Sequence, residues 1–197
     1  AQTQRAVDNF PISGRQLPTR FIQAVVRIKR CAAETNRQLE TLSADKAVAI
    51  VGACNDLLEG HHLDQFPVDI FQTGSGTSTN MNVNEVIAHL CEEAGASIHP
   101  NDDVNKGQSS NDTFPTAMNV AAVVALRGQL IPELEHLHEH LSIKSKHWKS
   151  LIKVGRTHLQ DAIPLTLGQE FSAFAQQMVH GIARLRGVLP RISELVQ

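Results

Sequence analysis

Apolar residues recur along most of this chain at steps of three and four, the spacing that lays a stripe along one face of a helix. Phe21, Val25, Ile28, Ala32, Thr35, Leu39 and Leu42 form the first stripe, and Pro18 suits the opening turn of that helix. A second helix takes Ser43 as its N-cap, turns Ala47, Ile50, Val51, Cys54, Leu57 and Leu58 inward, and ends at Gly60. A third covers about residues 78–94 through Val83, Val86, Ile87, Leu90 and Ala94, closing at Gly95. The longest periodic stretch runs from Ser110 to about His147 on Val120, Val123, Val124, Leu130, Ile131, Leu134, Leu137 and Leu141. Gly128 and Pro132 predict a bend or break within it. The last stripe is Leu167, Phe171, Phe174, Met178, Ile182, Leu185, Leu189, Ile192 and Val196. Thr166 and Gln169 supply a capping box at its start, and Pro190 predicts a kink or a new helix. Only Leu151–Val154 reads as a strand.

The pattern therefore predicts an all-α fold. An N-terminal helical domain covers 1–106, and 107–197 forms the first long helices of a helical bundle. The boundary falls at the polar, turn-forming stretch PNDDVNKGQ, residues 100–108. The chain opens on Ala1 rather than Met and stops at Gln197 inside an apolar pattern, so it reads as a piece of something larger.

Composition narrows the function classes. At 197 residues the chain is long enough to bury a real core. The formal net charge is −2 and Lys and Arg are scattered, whereas nucleic-acid binding needs a basic stripe. No apolar run approaches the roughly 20 residues of a membrane span, so neither nucleic acid nor membrane is an expected partner. No signal peptide opens the chain, which points to the cytoplasm, or to a mitochondrion if the source is eukaryotic. Cys31, Cys54 and Cys91 are far apart in apolar helical contexts. They read as buried free thiols, not as a disulfide framework or zinc cluster.

Polar islands interrupt this scaffold. In QTGSGTSTNMNVNE, 72–85, Gly74 and Gly76 make a flexible turn before a helix start rich in hydroxyls and amides. Asn80, Asn82 and Asn84 are poor helix formers. Ser75, Gly76 and Thr77 suit a carboxylate or phosphate at a helix N-terminus, and a simple capped turn fits as well. No Gly-Lys-Ser/Thr follows and no third Gly completes a dinucleotide fingerprint. In HPNDDVNKGQSSND, 99–112, Ser109, Ser110 and Asn111 open the longest helix, where the dipole favours an anion. A cap needs one such residue, and here there are more.

In VGRTHLQDA, 154–162, Thr157 and His158 follow a short extended segment. A lone histidine is more often structural than catalytic. Beside two anion-binding helix starts it gains a purpose, because removing a proton from carbon next to a carboxylate needs a base and fixed donors for the developing charge. A competing cluster is EHLHEHL, 135–141, whose His136 and His140 share a helix face at a metal-binding spacing. No third ligand converges on them, so a solvated face is expected there and no metal is assigned. His61–His62 reads as a surface turn.

TGSGTSTNMNVNEVIA, HPNDDVNKGQSSNDTFPTAM and GRTHLQDAIPLTLGQEF, with the N-terminal AQTQRAVDNFPISG, resemble the signatures of the class II fumarases of the aspartase/fumarase superfamily, in order and over essentially the whole chain. The resemblance implies reversible hydration of fumarate to L-malate with no metal or organic cofactor. It assigns Ser75, Gly76, Thr77, Ser109, Ser110, Asn111 and Thr157 to the substrate carboxylates, and His158 to proton transfer on the water side. His99, Asn101 and Asp102 match a second, peripheral anion site, although EEAGASIHP before them lacks the basic residue that some members supply. The implied assembly is a homotetramer with active sites drawn from three subunits. Aspartate ammonia-lyases of the same superfamily usually read Ser-Thr-Asn-Asp where this chain reads SSND and place Gln at position 158, so both positions favour a fumarase.

One departure matters for activity. The family's third signature, a mobile loop reading roughly G-S-S-x-M-P-x-K-x-N, is absent from this chain. By resemblance that loop carries the serine that acts on carbon, with a Lys and an Asn that hold substrate. The expectation is an inactive piece holding most of the anion-binding half-site. The alternatives are an ammonia-lyase of the same superfamily, or a helical assembly or metal-binding module resting on the EHLHEHL face.

Overall fold

The computed structural model describes residues 1–195. They form two compact units, one built on Ala1–Ala121 and the other on Ala122–Glu194. Helices dominate, as the periodicity predicts. The final stripe position, Val196, lies outside the described residues.

In the first unit, α1 (Gln2–Asn9), α2 (Thr19–Gln38), α3 (Ala44–Leu58) and α4 (Thr77–Glu93) precede α5 (Ser110–Ala125). Its core gathers Phe21, Val25, Val26, Ile50, Cys54, Leu57, Val83, Ile87 and Cys91. Ser43 stands at the N-cap of α3 without a side-chain bond to the helix. Gly60 and Gly95 follow α3 and α4 with φ of +100° and +86°, the left-handed geometry that lets a chain leave a helix. Helix α1 is fastened by Glu85, whose carboxylate accepts from the N–H groups of Gln2 and Thr3 and from the Thr3 hydroxyl at 2.7–2.9 Å. Burial raises that carboxyl, and these donors outweigh it, holding it at about 2. Asp69 ties the segment before α2 in the same way, accepting from Ser13 and Gly14.

Two expectations need correction here. The α2 stripe ends early, because the helix stops at Gln38 and Leu39 is 66% exposed. Its buried face instead includes a charged residue, Lys29. Cys31 is exposed while Cys54 and Cys91 are buried, the arrangement three i,i+3-type stripes could not distinguish. Burial pushes the Cys54 thiol up to about 12 and Cys91 to about 11, so both stay protonated.

In the second unit, α6 (Ile131–His147) and α7 (Leu167–Ile192) pair antiparallel. Glu135 meets Arg186 at one end, and the Ser145 hydroxyl donates to Gly168 O at the other. Trp148 stacks edge-on against Phe171 at 4.7 Å between centroids. Before α6, a π turn covers Leu126–Leu130, where Gly128 and Pro132 predicted a break. The Thr166–Gln169 capping box forms with both of its bonds. Helix α7 continues through Pro190 and ends two residues later at Ile192.

The strand reading was too short. β1 (Ile152–Thr157) and β2 (Gln160–Thr166) make an antiparallel hairpin. Gly155 faces a bulge on β2, and any side chain there would collide with Ile163 O and Leu165. One further correction concerns hydropathy. Ser110–His147 is, by length and composition, long and apolar enough to cross a membrane. The apolar run Val120–Leu126 raises its average, yet seven residues fall well short of the roughly 20 of a span. A helix that packs inside a bundle passes the same test, so this is weak evidence for a membrane.

Candidate active site

The start of α4 is built around Gly76. It adopts φ +69° at the N-cap, and a methyl group there would overlap the ring of Phe114 on α5. Glycine is required twice over, by the backbone and by the close approach. Gln72 closes the turn by accepting the Thr79 N–H at 2.8 Å. The earlier N–H groups of α4 have no partner within the helix and face outward with the positive end of its dipole.

Helix α5 begins beside it. The Ser109 hydroxyl accepts the N–H of Asn111 at 3.3 Å, a capping bond. Ser110 turns the other way, its Oγ 2.9 Å from Oγ1 of Thr77. Thr77 in turn lies 2.7 Å from the Ser75 hydroxyl. Three hydroxyls thus form one exposed chain at the N-termini of two helices. Gly76 sits inside this group, and Ser109 and Asn111 flank it. Hydroxyl and amide donors at two helix N-termini are suited to a carboxylate. An adjoining cleft of about 230 Å³ is lined by Arg5, Thr73, Thr77 and Ser78. Arg5 was not singled out from the sequence, because nothing local relates the first helix to residue 77.

Beneath the hydroxyls lies a polar layer that sequence reasoning missed. Asn80, Asn82 and Asn84, noted above as poor helix formers, are buried. Asn105 Oδ1 accepts from Asn80 Nδ2 at 3.0 Å, Asn84 Nδ2 at 3.3 Å and Lys29 Nζ at 2.9 Å. Lys29 also donates to Gln108 Oε1 at 2.9 Å. The alternation of asparagines was the available signal, since buried amides call for hydrogen bonds, and Asn80 and Asn84 both find Asn105.

His99, Asn101 and Asp102 form a separate group on a π turn at Pro100–Val104. His99 Nδ1 accepts the Asp102 N–H at 3.0 Å and lies 3.2 Å from its carboxylate. All three side chains are exposed. Asp103 anchors the turn from below. It is buried and bound to Lys46 at 2.7 Å and to the His99 N–H at 2.9 Å. Burial raises its carboxyl, and these partners pull it below the usual range.

Thr157 and His158 belong to the second unit. Thr157 pairs with Gln160 to close the hairpin, leaving His158 and Leu159 as its two turn residues. Their φ values are +49° and +63°. Two left-handed residues match the twist of a type I′ hairpin, where Asn-Gly is normal and His-Leu is costly. Leu159 is 94% exposed and His158 is exposed beside it. Residues held in such strained backbone cluster at functional sites.

The competing metal readings gain little. His136 and His140 share one hydrogen bond of 2.9 Å on an exposed face, and among the described residues no further ligand joins them. Asp56, Glu59 and His61 bring ligand atoms within 4.8 Å of one another, but all are exposed.

The family model described as "Lyase" matches residues 1–197. A class II fumarate hydratase from Mycobacterium tuberculosis is 55% identical over 195 residues, covering 99% of this chain and 41% of the relative. One from Nitrosomonas europaea is 52% identical over 202 residues, covering 99% and 44%. The crystal structure of a recombinant class II fumarase from Schistosoma mansoni superposes with a TM-score of 0.93 at 42% identity, covering 99% of this chain and 43% of that one. The chain thus spans less than half the length of the relatives it matches.

Proposed function

The chain belongs to the lyase family, and we propose that it supplies the carboxylate-binding hydroxyls and the water-side acid–base of a class II fumarate hydratase. The observation that carries this reading is the hydroxyl chain Ser75–Thr77–Ser110 at two helix N-termini. With Gly76, Ser109 and Asn111, these groups would hold one carboxylate of a small dicarboxylate, fumarate or L-malate.

Hydration asks for charge stabilisation at that point. Water adds its oxygen to one alkene carbon as His158 takes a water proton. The π electrons move toward the other carbon and onto its carboxylate oxygens. Fixed donors at helix N-termini stabilise that charge without reorganising. Protonation of the second carbon then completes L-malate. By resemblance the group acting on carbon sits on a loop outside this chain, so the chain alone is expected to turn nothing over. Thr157 would bind carboxylate next to His158, and His99, Asn101 and Asp102 would form the peripheral anion site. A homotetramer in the cytoplasm, with sites assembled from several subunits, completes the reading.

The experiment is a hydratase assay on this chain extended with the C-terminal remainder of the Mycobacterium relative. Loss of fumarate absorbance with malate formed, and no ammonia released from aspartate, is the expected result. Ammonia release would replace the reading with an amino-acid lyase. Fumarate turnover by the 197-residue chain alone, at a rate near that of the intact relative, would contradict the division of roles.

A further inference from the structure

Lys29 is 0% exposed, and among the described residues no carboxylate meets it. Burying a cation costs several kcal/mol unless something compensates, and here the partners are two amide oxygens, those of Asn105 and Gln108. An uncharged side chain would satisfy two amides at lower cost, so the position needs another explanation.

The two partners indicate one. Gln108 is the residue before Ser109, and Gly107, at φ +70°, shapes the same turn. Asn105 receives Asn80 and Asn84 from α4, the helix that starts at Thr77. One ammonium therefore connects to both helix starts that carry the hydroxyl chain. We propose that Lys29 is a positioning residue for the anion site: through Asn105 and Gln108 it holds the starts of α4 and α5 together, and it places a buried positive charge beneath them. This rests on reading Ser75, Thr77 and Ser110 as carboxylate ligands.

A consequence is pH dependence. Burial pushes the Lys29 ammonium down to about 7, and the Cys54 thiol facing it from α3 offsets little of that. Cys54 is itself held at about 12 and stays neutral. From α4 and from the loop before α5 the neighbouring groups are amides, and Arg30 follows on its own helix. A bound anion favours the protonated ammonium, so anion affinity falls as pH rises through about 7.

The test is an NMR titration of the whole ¹⁵N-labelled chain with fumarate, following the amides of Ser109, Ser110 and Asn111. Wild type is compared with Lys29→Met, Gln108→Ala and the double variant, at about pH 6 and about pH 8. Each single variant should weaken binding at least about tenfold at the lower pH, and the double variant no further. Wild-type affinity should fall toward the higher pH while Lys29→Met stays flat, a difference that other titrating groups, present in both proteins, cannot produce. Unchanged α1 amides, held by Glu85, report that the fold survives. If Lys29→Met does not fold, Gln108→Ala decides alone, since it leaves Lys29 in place but uncoupled from Ser109. Binding within about twofold of wild type in the folded variants overturns the role of Lys29 and leaves the functional reading standing. No response of these amides in wild type overturns the functional reading, and this inference with it.

Discussion

The hydroxyls of Thr77 and Ser110 lie 2.9 Å apart across 33 residues of sequence. Each sits in the first turn of its own helix, so the pair brings two positive dipole ends to one point. Because the pair is exposed, it contributes little to stability. Ser110→Ala should cost less than about 1 kcal/mol by thermal melt. It should weaken fumarate binding about tenfold or more. A variant that melts early yet binds normally would show the pair to be structural.

Gly76 is the joint of the same site. Alanine there must take φ +69° and place its methyl into the Phe114 ring, which packs on Phe21 at 4.7 Å. The two penalties together should cost about 2 kcal/mol or more, visible as a lower denaturant midpoint for Gly76→Ala. An unchanged midpoint would mean that Phe114 moves aside freely.

At the hairpin tip, stability and function should oppose each other. Replacing His158–Leu159 by Asn-Gly supplies residues that accept the left-handed turn. We expect a gain of about 1 kcal/mol in the melting of the chain. In the extended enzyme the same change should abolish hydration. Lower stability in this variant would argue that the turn carries no strain.

Lys29 also links stability to pH. Its folded value of about 7 lies below its ordinary 10.5, so above pH 7 the unfolded chain binds the extra proton. Stability therefore rises with pH in that range. Cys54, raised to about 12 from 9.0, acts in the opposite sense only above pH 9. Between about pH 7 and 9 wild type should gain on the order of 2 kcal/mol, and Lys29→Met should gain nothing. Parallel denaturation curves for the two proteins would contradict the shift.

Much of this architecture was legible in local pattern. Helix periodicity located α2, α3, α4 and α7, and the capping box at Thr166 gave the start of α7, because these depend on neighbours three and four residues away. The hydroxyl-rich helix starts were also visible as excess donors. Hidden features were those set by distant partners. Lys29 looks like a solvent-facing residue until Asn105 and Gln108 arrive from more than seventy positions later. Cys31 cannot be told from Cys54 without knowing which face α3 covers. The β2 strand carries Pro164 and Asp161, both poor strand formers, and is paired only because the turn at His158 returns it to β1.

The central claim is that two segments far apart in sequence hold one substrate carboxylate. Its most direct test is the pattern of amide shifts when fumarate is titrated into the labelled chain. Simultaneous, saturating shifts at Ser75–Thr77 and at Ser109–Asn111, with one shared affinity, are the predicted result. Shifts confined to one segment, or none at either while other surfaces respond, would contradict it.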